Sequence, residues 1–203
     1  MSPEQFLRDI QRSPINRTLL AGLPALQLPD AWLVAGCLFQ TVWNLKSGRA
    51  PEAGIKDYDL FYFDASDLSA AAEAAVQQRV QAAFTGVPVE AKNQARVHCW
   101  YEAWCGHPYE ALACSADGIA RFLIPGTCVG VQAQGDGSLR LHAPYGLEEL
   151  YAGRLRPNPL IDHRPLFRAK AASYRERWPW LEIVEADDPN EELALSAAAS
   201  QPS

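Results

Sequence analysis

Residues 31–63 set the tightest limit on what this chain can fold into. Residues 31–35 (Ala-Trp-Leu-Val-Ala) are a short apolar run that stops at Gly36, as a buried strand does. Residues 37–45 suit a helix closed by Ser47-Gly48, and residues 58–63 (Tyr-Asp-Leu-Phe-Tyr-Phe) form an aromatic-rich strand. A strand, a turn, a helix and a second strand within some thirty residues call for a sheet with helices packed on it.

The rest of the chain continues that alternation. Residues 3–12 and 15–21 read as N-terminal helices, before Pro24 and Pro29 break the chain. After an N-cap at Asp67, Leu68, Ala72, Val76, Val80 and Phe84 recur at helical spacing. Residues 89–91 and 95–101 read as strands, or as one interrupted strand. Residues 109–121 read as a helix, 128–133 and 139–142 as a hairpin, 147–151 as a helical turn and 164–178 as a last helix. The class is α/β or α+β, with a mixed sheet flanked by helices. At 203 residues the chain has room for one domain. Its expected extent is 1–180, with a core over 30–180, N-terminal helices over 3–22 and an acidic, disordered tail over 181–203.

Charge is unevenly placed. The net charge is −6, yet six acids and no Lys or Arg follow residue 177, so residues 1–177 are balanced. Within that body, residues 50–102 hold eight acids against four bases, and residues 140–177 eight bases against four acids. A neutral body argues against stable DNA binding and suits a cation site beside an anion site. No apolar stretch is long enough for a membrane span, and Glu4 and Asp9 interrupt the place of a signal peptide. Cys37, Cys99, Cys105, Cys114 and Cys128 are odd in number and lack C-x-x-C spacing, so free thiols and a cytoplasmic location are expected.

The chemistry concentrates at Asp57-Tyr58-Asp59. Carboxylates at i and i+2 of a strand share a face and repel unless a cation lies between them. Hard cations such as Mg²⁺ take such oxygens together with substrate phosphates. Glu90, between Val89 and Ala91, is the candidate third carboxylate from a neighbouring strand. Gly36, just before a helix, lets backbone N–H groups meet phosphate oxygens.

These residues resemble a known pattern. Val34-Ala35-Gly36-Cys37 followed by Asp57-Tyr58-Asp59-Leu60 looks like the signature of the DNA polymerase β-like nucleotidyltransferase superfamily. More closely, four stretches resemble a bacterial family labelled only "nucleotidyltransferase family protein". They are residues 35–44, 54–64, 89–98, and 143–147 with Arg156-Pro157-Asn158-Pro159. The resemblance implies a polymerase β-like core, two Mg²⁺ (or Mn²⁺) ions on Asp57, Asp59 and Glu90, and a nucleoside triphosphate donor. An NMP would pass to the hydroxyl of an unidentified small molecule, protein or RNA, with release of pyrophosphate. Cys37 departs from the pattern, which usually has Gly or Ser there. That departure keeps open a degenerate nucleotide- or metal-binding regulator, and a toxin-like enzyme acting on protein or RNA is a further alternative.

The nucleotide-binding candidates are Gly36, Cys37, Asn44, Lys56, Lys92 and Arg96. Asn44 is equally readable as a buried amide bonded to backbone. Lys56 is equally a surface residue balancing the acids. Lys92 and Arg96, which share strand parity with Glu90 if the strand is continuous, are equally cross-strand ion-pair partners. His98 on that face is a general-base candidate beside a structural reading. One ring of the Trp and Tyr set is a candidate base-stacking surface. Arg164, Arg168 and Arg175 line the last helix, facing solvent or else the acidic strand face or a polyanionic acceptor.

Overall fold

The computed structural model describes residues 1–161 and 163–184. Two helices open the chain, α1 (Pro3–Ile10) and α2 (Pro14–Gly22). Each begins at a serine whose hydroxyl accepts a first-turn N–H, Ser2 from Gln5 and Ser13 from Asn16. Each also carries proline in the first turn, where the missing N–H costs nothing. The core follows: β1 (Trp32–Val34), α3 (Gly36–Lys46), β2 (Tyr58–Tyr62), α4 (Ala70–Ala83) and β3 (Val89–Asn93). Next come α5 (Tyr101–Cys105), α6 (Ser115–Ile119) and the hairpin β4 (Gly130–Ala133) and β5 (Leu139–His142). The described chain ends with α7 (Glu148–Ala152), β6 (Arg154–Leu155), α8 (Arg164–Arg177) and β7 (Glu182–Ile183).

The main sheet has the order β3-β2-β1-β4-β5. Its β2–β3 pair is parallel and the other pairs are antiparallel, so the sheet is mixed as expected. Alternation along the strands separates two faces. Tyr58, Leu60, Tyr62, Val89 and Ala91 are buried on one face, against a core that includes Leu38, Phe39, Val42 and Trp43 of α3. Phe39, Trp43, Tyr174 and Trp178 pack edge to face there, with ring centroids 4.7–6.3 Å apart. On the opposite face Asp59, Glu90 and Lys92 stand beside a small apolar patch of Trp32, Val34 and Ile119.

Several expected elements differ. The strand expected at 95–101 is a 3₁₀ helix over Gln94–Cys99 followed by α5. Asn93 causes the turn: its Oδ1 accepts the N–H groups of Ala95 and Asp64, and its Nδ2 donates to the Asp64 carbonyl. The helix expected over 109–121 shrinks to α6, because the Asp117 carboxylate takes the N–H groups of Ala113 and Cys114 and starts the helix at Ser115. Ser69 rather than Asp67 caps α4. Residues 181–184, expected in the tail, belong to the fold: Leu181 is buried and β7 pairs in parallel with β6. The rest of that segment, 185–203, lies outside the described residues.

β3 is an edge strand, and side chains of α4 seal its outer edge. Gln77 donates to the Val89 carbonyl at 2.7 Å and accepts from the Ala91 N–H at 2.6 Å, and Glu73 accepts the Asn93 N–H at 2.9 Å. An open edge would invite pairing with another chain. Gln77→Ala is expected to cost about 1–2 kcal/mol, the worth of two partly exposed hydrogen bonds. A thermal melt should show a drop of about 3–6 °C. An unchanged melting temperature would mean that water replaces Gln77 without loss.

Candidate active site

The Asp pair lies where β2 begins. Asp57 is exposed just before the strand, and Asp59 is its second residue, half-buried on the open face. Parallel pairing sets Asp59 abreast of Glu90 on β3. The Asp59 carboxyl is pushed up to about 7, first by burial and then by the charges of Asp57 and Glu90. Lys170 on α8 and Lys92 oppose that rise. Lys92 also pairs with Glu90 at 3.6 Å. Three carboxylates thus crowd one end of the sheet, at an energetic cost in the unliganded protein.

A cleft of about 310 Å³ opens beside the pair. Its floor is Ala35, Gly36, Phe39 and Gln40, at the N-terminus of α3. Leu166, Lys170 and Tyr174 of α8 form one wall, and Arg121 to Ile124 another. Tyr101 and Trp104 of α5 stand at the mouth, with Trp104 67 % exposed. A second, shallower groove of about 570 Å³ runs between α4 and β3, lined by Lys56, Glu73, Gln77, Glu90 and Lys92. Asp57 lines both cavities.

The turn into α3 is strained at Ala35, whose φ is 56° and ψ −124°, a region that costs a non-glycine residue of order 1–3 kcal/mol. Ala35 is held by donating its N–H to the Val129 carbonyl. Its own carbonyl accepts from Leu38 and Phe39 at 3.0 and 3.2 Å. The N–H groups of Gly36 and Cys37 precede these, and as the first of the helix they have no carbonyl one turn back to reach. The helix dipole adds positive potential at the same place.

The candidates named from sequence divide. Asp57, Asp59, Glu90, Gly36, Lys56 and Lys92 all line one cavity or the other or face the Asp pair. Cys37 lines neither cavity: its thiol is buried in the core, 3.4 Å from the Val34 carbonyl. Asn44 is fully buried and structural. Its Nδ2 donates to the carbonyls of Pro51 and Ala53, and its Oδ1 accepts from Trp178 Nε1. Arg96 leaves the strand face because β3 ends at Asn93; it pairs with Glu73 and donates to the Leu68 carbonyl. His98 sits on the same 3₁₀ turn, against Cys99 at 3.5 Å. Of the last helix's bases, Lys170 reaches the cleft wall.

Lys170, Arg121 and Gln40 were not singled out from sequence. Lys170 follows Phe167 by three and precedes Tyr174 by four, so the buried stripe of α8 carries the signal for it. Gln40 follows Gly36 by four on the same helix face. Arg121 lies in an irregular stretch that offers no such pattern. The matched stretches at 143–147 and 156–159 serve this wall. Asn158 donates to the carbonyls of Ala120 and Phe122 at 2.8 and 2.7 Å, and the Tyr145 hydroxyl, 3.1 Å from Asn158 Oδ1, reaches the Ala120 carbonyl at 3.0 Å.

This geometry can neutralise an anion at a helix start while gathering cations at a carboxylate pair. Comparison with known proteins bears on what it serves. A solution structure described as revealing a CCA-adding enzyme head domain superimposes with a TM-score of 0.76 and 25 % identity. The match covers 91 % of this chain and 97 % of that one. A search of curated protein sequences finds no match. Among the described residues no helix is long and apolar enough to cross a membrane. The model of the nucleotidyltransferase family matches residues 21–183, so the chain belongs to that family.

Proposed function

We propose that the protein transfers a nucleoside monophosphate from a nucleoside triphosphate to an acceptor hydroxyl, releasing pyrophosphate, in a divalent-metal-dependent reaction in the cytoplasm. The observation that carries this reading is the position of the Asp57–Asp59 pair, between a cleft floored by a helix N-terminus and a second groove that holds Glu90.

The residues suit Mg²⁺, with Mn²⁺ as a substitute. The donors are all carboxylate oxygens, and Asp59 carries a raised proton affinity that a cation would relieve. No group of three or more His, Cys, Asp or Glu side chains among the described residues is arranged to hold a metal ion by itself. A bound ion would therefore need water and substrate phosphates to complete its shell. Asp57 and Asp59 would hold it from one side and Glu90 from the acceptor groove. Bound there, the metal would supply positive charge to the oxygens of the attacking and leaving groups.

The chain's own contribution is positioning. The start of α3 seats the phosphates, Lys170 faces them from α8, and Tyr101 and Trp104 offer ring faces on which a base stacks. The acceptor enters along the α4–β3 groove, where Glu90 can receive the hydroxyl proton. Burial of the Cys37 thiol removes a side-chain donor from the phosphate seat, and this favours the rival reading of a binder without turnover. Pyrophosphate release from NTP with candidate acceptors separates the two.

The site assignment is tested by calorimetric titration of Mg²⁺ and each NTP into the wild type and into Asp57→Asn/Asp59→Asn. The wild type is expected to bind NTP in a Mg²⁺-dependent way and the double variant to lose at least about tenfold in affinity. Equal binding by both would overturn the assignment.

A further inference from the structure

The cleft contains a side-chain donor that none of the preceding roles accounts for. Gln40 is 8 % exposed and lines the floor, yet its two ends have different fates. Its Oε1 accepts from Arg177 Nη2 at 2.8 Å, and the same nitrogen donates to the Gly54 carbonyl at 2.8 Å. Its Nε2 has no hydrogen-bond partner among the described residues. Helical side chains lean toward the N-terminus of their helix, and Gln40 leans over Gly36. A Cβ on residue 36 would lie 2.9 Å from Nε2.

That contact explains Gly36. The backbone outlier at the turn is Ala35, and Gly36 does not have a positive φ. What the absent Cβ leaves room for is the far end of the Gln40 side chain: a larger residue at 36 would push that amide aside. The sequence thus spends its glycine on bringing an amide N–H₂ over the first turn of α3, beside backbone N–H groups that lack intrahelical acceptors.

We infer that Gln40 Nε2 is a phosphate-binding donor of the triphosphate site, and that Arg177 is the positioning residue that turns its N–H₂, rather than its oxygen, toward the anion. This rests on the proposed NTP-binding reading of the cleft. Gln40 takes over the side-chain contact that the buried Cys37 thiol does not make. A carboxamide is ambivalent, since its oxygen would repel phosphate. The guanidinium resolves the ambiguity by occupying that oxygen, and it polarises the amide toward stronger donation. Arg177 is itself fixed by Gly54 and by stacking 4.2 Å from the Trp178 ring centroid.

The test uses the full chain with inorganic tripolyphosphate and ATP as probes. Gln40→Glu keeps the shape and the Arg177 contact while replacing the donor by an acceptor. Its tripolyphosphate and ATP affinities are expected to fall roughly 10- to 100-fold, the worth of a hydrogen bond to a charged group. Arg177→Met is expected to weaken both probes, with Arg177→Lys restoring part of the loss. In the unaltered protein, the Gln40 side-chain N–H₂ resonances, assigned by their absence from Gln40→Glu, are expected to shift on addition of tripolyphosphate. That measurement does not depend on any variant folding. If the wild type binds ATP and Asp57→Asn/Asp59→Asn loses it, but Gln40→Glu binds as the wild type does and the resonances stay put, the Gln40 assignment is wrong and the cleft reading survives. If the wild type binds neither probe, both fall.

Discussion

Asp59→Asn is expected to make the protein more stable and to cripple its nucleotidyl transfer. The two effects share one cause. Asp59 ionises against burial and against Asp57 and Glu90, which lift its carboxyl from 3.8 to about 7. The folded chain therefore holds that proton more tightly than the unfolded chain, and ionising it destabilises the fold. The contribution is fully present below pH about 3.8, is lost as pH rises to about 7, and is then constant. An asparagine cannot ionise, so it escapes the loss. At pH 8 the variant should melt about 3–8 °C above the wild type, and the gap should close toward pH 4. Mg²⁺ with NTP should raise the wild-type melting temperature more than the variant's, since only the wild type offers the full carboxylate set. Transfer should fall by a factor on the order of 10³, as when an electrostatic group central to a transition state is removed. A variant less stable than the wild type at pH 8 would refute the account of Asp59 as a strained site.

Asn44→Ala is expected to do the reverse, damaging the fold and sparing the site. Asn44 is fully buried and joins three separate segments: its own helix, the loop at Pro51 and Ala53, and Trp178 beyond the last helix. Alanine would strand two carbonyls and an indole N–H away from water, and leave a void. The cost should be about 3–4 kcal/mol, a large part of the roughly 5–15 kcal/mol that holds a domain together. Urea titration should show it. Below the transition, NTP affinity of the folded protein should stay within about twofold of wild type. A large loss of affinity with unchanged stability would return Asn44 to the nucleotide site.

The contrast between these residues shows what a sequence discloses. The placement of Asp57, Asp59 and Gly36 along one cleft was legible because it follows from local spacing: two residues along a strand, or one residue before a helix. The main strands and helices were legible because their apolar periods are strong. Asn44 and Arg96 stayed open between two readings because a polar side chain near a motif has a partner that only tertiary structure supplies, carbonyls of the 51–53 loop in one case and Glu73 in the other. The shared face of Arg96 and Glu90 depended on a strand continuing past Asn93, and Asn93, accepting the Ala95 N–H at its Oδ1, turns the chain there. Lys170 and Arg121 were lost among eighteen bases, although Lys170 had the period of its helix to recommend it. Gln40 was invisible because its meaning depends on Arg177, 137 residues later.

That last separation has a consequence in time. Arg177 reaches back to Gln40 and Gly54, and Trp178 reaches back to Asn44, across 123 to 137 residues. During synthesis the strands bearing Asp57, Asp59 and Glu90 emerge before α8, the helix that walls the cleft and reaches its Gln40 amide. Loops this long must close before the contacts of α8 repay the entropy. A nascent chain thus carries its acids before it has the wall that α8 gives the cleft.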